Sequence, residues 1–103
     1  MKQQSIILEM VDAVRIGKRA FNAAKGRASN LVMRKKRGLY AEGSSNLYRS
    51  LLDYYGAIEG KQKWASVIRN MRMEELACVK AVEDAKYKLR LAKATLKLAR
   101  KHL

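Results

Sequence analysis

The sequence predicts an all-α fold, in which long helices form a helical hairpin or a coiled-coil-like bundle that packs in an oligomer. Three observations lead to this prediction. The 103 residues include no proline and only six glycines, too little turn chemistry for a β-sandwich or a β-barrel. Hydrophobic residues make up 49% of the chain, too many for a disordered basic tail. Apolar residues also recur at alternating steps of three and four, which is the spacing of a heptad seam.

Charge divides the chain into three segments of what we expect to be a single helical unit, residues 1–103. Residues 1–38 carry ten basic and two acidic residues, and we predict a basic helix there. Residues 39–60 carry one basic and three acidic residues and form a turn and short helix rich in glycine, serine and tyrosine. Residues 61–103 carry twelve basic and four acidic residues on a long, heptad-patterned helix. A chain of this length has room for one domain core.

The first segment has a seam on one helical face. Its members are Ile7, Met10, Val14, Gly17, Phe21, Ala24, Ala28 and Leu31. Ser5 is a plausible N-cap, and Gly38 supplies a C-terminal stop. Gly17 and Gly26 lower the helix propensity but are small enough to allow close approach by another helix.

The central segment contains the clearest break in helical patterning. Gly43 offers a turn, and residues 44–46 are good N-cap residues for a short helix. Gly56 and Gly60 are positions where that helix can bend or end. Aromatic side chains cluster here, and we interpret them as core or subunit contacts, with stacking on unpaired bases as the alternative. They are Tyr40, Tyr48, Tyr54, Tyr55 and Trp64.

The third segment has the longest seam in the chain. Its members are Trp64, Ile68, Met71, Glu75, Cys78, Val82, Ala85, Leu89, Ala92, Leu96, Ala99 and Leu103. Only Glu75 interrupts this apolar pattern. Sustained spacing of this kind predicts a coiled-coil-like helix of about 60 Å at 1.5 Å per residue.

The last part of this helix carries two apolar stripes on opposite sides. At 100° per residue, Tyr87, Leu91, Ala94 and Leu98 gather opposite the seam. A helix with two apolar stripes is expected to pack between two neighbours, so we predict self-association or docking into a larger assembly. The alternative is that Leu91 and Leu98 are simply exposed surface leucines. The candidate oligomerisation residues are Trp64, Ile68, Met71, Val82, Leu89, Leu91, Leu96 and Leu98.

Between these stripes runs a basic stripe without compensating acids. Seven lysines and arginines follow Asp84, and no acidic residue does. Uncompensated like charge favours an acidic partner, which we expect to be the phosphate backbone of nucleic acid, bound without sequence preference. An acidic protein or an anionic membrane surface is the alternative. The candidate nucleic-acid-binding residues are Arg34, Lys35, Lys36, Arg37, Lys86, Arg90, Lys93, Lys97, Arg100 and Lys101.

The sequence offers little for catalysis, and we expect no enzyme, metal or cofactor. One cysteine and one histidine rule out a disulfide framework, a zinc knuckle and most triad chemistry. Cys78 lies on the seam, where a small buried hydrophobe is expected, and His102 suggests nothing specific. The acid pairs Glu74-Glu75 and Glu83-Asp84 lack a histidine partner or third ligand. No apolar run approaches the roughly 20 residues of a membrane span, and the N-terminal apolar run is too short for a signal peptide.

One stretch resembles a known family. Residues 39–47 (LYAEGSSNL) precede a helix with Gly60 and then residues 68–70 (IRN), and in this the chain resembles internal virion (ejection) proteins of short-tailed bacteriophages over residues 28–95. In that family a basic, alanine-containing helix also runs into a Gly-Ser turn and a long helix rich in small residues.

The resemblance implies a location and partners. Such proteins lie inside the capsid, reach it from the host cytoplasm, and assemble as rings or tubes beside the portal, other core proteins and packaged DNA. They then leave with the genome and help to deliver it. We therefore expect a non-enzymatic virion component. The alternatives are a small nucleic-acid-binding protein that acts without sequence preference, a basic adaptor or inhibitor that docks on an acidic protein, and a peripheral membrane helix.

Overall fold

A computed structural model describes residues 2–102, with the side chains of residues 4–102, and it is all-α as predicted. Helix α1 spans Lys2–Lys36, α2 spans Asn46–Tyr55 and α3 spans Ala57–His102. No residue of the range 2–102 lies in a β-strand. Leu103, the last residue of the predicted seam, lies outside the described residues.

The chain divides into two compact units. The terminal unit combines Met1–Gly26 with Val79–Leu103, and the central unit is Arg27–Cys78. Both long helices therefore contribute to each unit, whereas α2 belongs to the central unit alone. The predicted seams coincide with the inward faces of both long helices. Every seam residue within the described range is buried or half-buried.

The terminal unit is packed through small side chains. Ala24 and Leu89 are buried, and the seam alanines of α3 are half-buried. Gly17 lies against α3 so closely that an added Cβ would come within 3.3 Å of the Leu89 Cδ1 atom. Close approach at Gly17 is thus confirmed. For Gly26 the same interpretation is wrong, because a Cβ there would have no neighbour within 4 Å.

The central unit has the larger side chains in its core. Leu31, Trp64 and Met71 are buried, and the ring of Tyr48 meets that of Trp64 edge-on, with 5.3 Å between the centroids. Burying a leucine or methionine side chain stabilises a fold by about 1.5–3 kcal/mol, and such an aromatic pair adds about 0.5–1.5 kcal/mol. The contact between Tyr48 and Trp64 holds α2 against α3.

The connection between α1 and α2 is closed at both ends by capping interactions. Gly38 has a φ of +77°, and its N–H donates to the Lys35 carbonyl while the Leu39 N–H donates to the Arg34 carbonyl. This is a Schellman motif, in which glycine tolerates the left-handed conformation. At the other end, the Ser45 Oγ accepts from the Tyr48 N–H at 3.0 Å and caps α2, as predicted. Ser5 lies inside α1, so its interpretation as an N-cap is wrong.

Gly60 allows α2 and α3 to approach each other closely. It does not end a helix, because α2 ends at Tyr55 and Gly60 lies buried in the first turns of α3. A Cβ at Gly60 would come within 2.8 Å of the Leu51 carbonyl oxygen and the Leu52 Cα atom. Both are backbone atoms, so they cannot yield by a rotamer change.

We expect Gly60→Ala to lower the free energy of unfolding by about 1–3 kcal/mol, the usual cost of forcing extra volume into a packed site. Gly26→Ala is the matched control, since Gly26 also lies in a helix but has open space around it. That substitution should stabilise the chain by up to about 1 kcal/mol, because alanine is the better helix former. Urea denaturation followed by circular dichroism measures both, and equal effects would contradict this account of Gly60.

Candidate nucleic-acid interface

The basic cluster Arg34–Arg37 ends α1, and half of it is engaged in ion pairs within the central unit. Arg34 donates to Glu74 Oε1 at 2.6 Å and to the Tyr40 hydroxyl at 3.2 Å. Lys35 pairs with Glu75. Lys36 and Arg37 are exposed. Of the four predicted phosphate contacts, two therefore already face carboxylates.

The hydrogen bond to Glu74 raises the pKa of Arg34 above its ordinary value, and partial desolvation opposes that shift. Since an arginine is charged at all physiological pH values, this change does not create a pH switch.

A cleft of about 420 Å³ lies beside this cluster, between the end of α1 and the start of α2. Its lining is polar and consists of Arg34, Arg37, Gly38, Leu39, Ser44, Ser45 and Asn46. Ser45, a buried polar residue of this lining, already caps α2 through its Oγ. Of the residues that line the cleft, Arg37 is the one that contributes exposed positive charge.

The second group of predicted contacts is the basic stripe of α3, in the terminal unit. All six of its residues are exposed: Lys86, Arg90, Lys93, Lys97, Arg100 and Lys101. None of them takes part in an ion pair with a described residue, since the ion pairs found there involve Arg15, Arg34 and Lys35. Because α3 is helical through this whole segment, the stripe forms one continuous arc of about 100° at 100° per residue.

The candidate oligomerisation residues fall into two groups. Those on the seam are buried or half-buried within the chain itself: Trp64, Ile68, Met71, Val82, Leu89 and Leu96. Leu91 and Leu98, on the opposite face, are 55% and 58% exposed, and Tyr87 beside them is 65% exposed. The second apolar stripe is thus more than half exposed at these three positions, and its role in assembly stays a prediction.

The aromatic cluster of the central segment is only partly in the core. Tyr48 packs on Trp64, and Tyr40 is half-buried beside Arg34. Tyr54, by contrast, is 82% exposed.

Cys78 is half-buried on the seam.

Glu74 and Glu75 are functional residues of this cluster that sequence reasoning missed. It treated them only as weak candidates for metal binding or acid–base chemistry, whereas they neutralise Arg34 and Lys35. The partners lie 40 residues apart in the chain, so no local spacing signals the pairing. The register of α1 against α3 would have to be known first.

Within residues 2–102 there is no group of three or more histidine, cysteine, aspartate or glutamate side chains placed to hold a metal ion. The helices of that range include none that is long and apolar enough to cross a membrane. Comparison with known protein families, with curated proteins and with solved structures found no match. The resemblance to internal virion proteins therefore depends on the motifs within residues 28–95 alone.

The ion pair of Lys35 should slow its chemical modification. The lysine amine attacks the acetylating reagent, and Lys35 must first leave the Glu75 carboxylate to do so. Because an exposed ion pair contributes about 0.2–1 kcal/mol, Lys35 should be acetylated roughly 1.5- to 5-fold more slowly than its unpaired neighbour Lys36. Glu75→Gln should remove the difference and Glu74→Gln should preserve it. Brief acetylation followed by peptide mass spectrometry measures both rates, and equal rates in the wild type would contradict the pairing.

Proposed function

We propose that this chain is a non-enzymatic structural protein that binds the phosphate backbone of DNA without sequence preference, as an internal component of a short-tailed phage virion. The observation that carries the DNA-binding part is the basic stripe of α3. Six cationic side chains are exposed along one arc of a continuous helix, and no acidic residue follows Asp84.

The stripe suits phosphates better than bases. Lysine and arginine side chains on a helix surface reach backbone oxygens and release condensed counterions, which supplies affinity independent of sequence. Reading bases requires side chains that form paired hydrogen bonds to base edges in a groove, typically asparagine, glutamine or a bidentate arginine. In the stripe, Arg90 and Arg100 alone carry the planar guanidinium that forms such pairs with fixed geometry, and lysine provides the other four positions.

The cluster Arg34–Arg37 contributes less in this proposal. Arg34 and Lys35 would have to exchange Glu74 and Glu75 for phosphate oxygens, which offsets much of the gain. Lys36 and Arg37 are exposed and can add to the stripe.

The experiment is a titration of a labelled duplex by fluorescence anisotropy at several salt concentrations. A triple variant, Lys93→Gln, Lys97→Gln and Arg100→Gln, should bind more weakly. The slope of log affinity against log salt concentration should also become less negative by about 2.7, since each lost phosphate contact removes about 0.9 from its magnitude. A duplex of unrelated sequence should give the same affinity within a few-fold, far below the factor of about 10³ or more that marks specific binding.

The matched control is Lys18→Gln, Arg19→Gln and Lys88→Gln. It removes the same charge from exposed positions outside the stripe, with Lys88 on the same helix. Its salt slope should stay within about one unit of the wild-type slope. If both triple variants lose affinity equally, only the total charge matters and the stripe is not a binding surface. A wild type that does not bind DNA at low salt would favour the acidic-protein alternative.

The virion part of the proposal is supported by the resemblance over residues 28–95 and by a surface suited to packaged DNA. It places the protein inside the capsid near the portal, in contact with portal or core proteins, and in the host cytoplasm before assembly. Mass spectrometry of purified, nuclease-treated particles of the phage that carries the gene should detect the chain. Particles emptied of DNA by ejection should contain much less of it, and its absence from intact particles would overturn this part.

A further inference from the structure

An apolar groove with a cationic rim runs along α3 in the central unit, away from the basic stripe. It has a volume of about 530 Å³. Its apolar lining includes Trp64, Ala65, Ile68, Met73 and Leu76. Three cations and one acid complete the lining, namely Lys61, Arg69, Arg72 and Glu42. The rim therefore has a net charge of +2, and the outer side chains, such as Leu76 at 72% exposure, face water.

The same unit carries a surface with the opposite properties. The segment 53–59, which we call the acidic corner, joins α2 to α3 and contains two acids and no base. Asp53 and Glu59 are exposed and form no ion pair with a described residue. Between them, Tyr54 is 82% exposed and Ile58 is 80% exposed.

Tyr54 and Ile58 are the two most exposed large apolar side chains among the described residues. Tyr55, their neighbour, packs edge-on against Tyr54 and has the Lys63 ammonium 5.2 Å above its ring. The acidic corner thus presents two apolar side chains flanked by two carboxylates, and the groove presents an apolar lining flanked by three cations. The two surfaces are complementary in charge and in chemistry.

We propose that the acidic corner of one copy docks in the groove of a second copy. Tyr54 and Ile58 cover the apolar lining, while Asp53 and Glu59 face the cations of the rim. Ile58 of the corner and Leu76 of the groove lie 18 residues apart, which is five whole turns at 100° per residue, so the two surfaces share one side of α3. Two copies that meet antiparallel through this side place each corner in the other's groove, so the contact is isologous and closes as a dimer.

Charge favours this contact over one along the second apolar stripe. Copies that met through Leu91 and Leu98 would bring two basic stripes together, because no acidic residue follows Asp84. The acidic corner lies in the only segment of the chain with a net negative charge, residues 39–60. DNA binding plays no part in this inference, so the two proposals can fail separately.

The test is sedimentation velocity of the nuclease-treated chain without DNA, over a range of protein concentrations. The wild type should form a dimer and nothing larger. Ile58→Asp breaks the corner and Leu76→Asp breaks the groove; both positions are highly exposed, so helicity by circular dichroism should not change. Each variant alone should be monomeric.

An equimolar mixture of the two variants provides the decisive result. The intact corner of the Leu76→Asp chain can enter the intact groove of the Ile58→Asp chain, and the other two surfaces repel each other. The mixture should therefore regain a dimer, which has one intact contact instead of two and is weaker than the wild-type dimer. Leu91→Asp is the control, and it should associate like the wild type.

Three results would overturn the proposal. The wild type could stay monomeric up to about 1 mM, which leaves no contact of useful affinity. Either single variant could associate as the wild type does. Association could instead be lost in Leu91→Asp and kept in Ile58→Asp, which would move the contact to the second apolar stripe.

Discussion

The packing of α1 against α3 along one seam on each helix is the constraint on which the rest of the structure depends. Each long helix can turn only one stripe inwards, so the buried residues are few and are spaced by three and four. In the terminal unit small residues such as Gly17 bring the backbones close, and in the central unit α2 adds its own contacts around Trp64. Every other face of these helices remains at the surface, where the functional features lie.

The positions of the few acidic residues decide which basic side chains are neutralised. Glu74 and Glu75 are taken up by Arg34 and Lys35 within the central unit. Asp12 pairs with Arg15 on the first turns of α1. Among the described residues, the cations at the end of α3 have no such partners, so they face solvent together and give the chain a strong local field. A polyanion relieves that repulsion by replacing many mobile counterions, which is why we place the DNA contact there.

The heptad spacing was sufficient to predict both long helices, their buried faces and the exposed second stripe. The caps at Gly38 and Ser45 were also predictable, because glycine and serine act there through local backbone geometry. The role of Gly60 was not, since its small size matters only once α2 folds onto α3 at Leu51. Likewise, the pairing of Arg34 with Glu74 depends on which turn of α1 faces which turn of α3. Sequence periodicity fixes the face of a helix but leaves this axial register open.

The position of Trp64 has a consequence for how the folding of this chain can be observed. It is the only tryptophan, and it lies in the core of the central unit beneath Tyr48. Its fluorescence therefore reports on one unit, whereas helicity averages over both. Five of the twelve described seam residues of the terminal unit are glycine or alanine. These bury less apolar area than the large side chains around Trp64, so the backbone amides of this unit should exchange with solvent through local opening at lower free energy. The ends of the two long helices can fray and re-form without a change in the fluorescence of Trp64, and the surface that carries the basic stripe belongs to this more dynamic part.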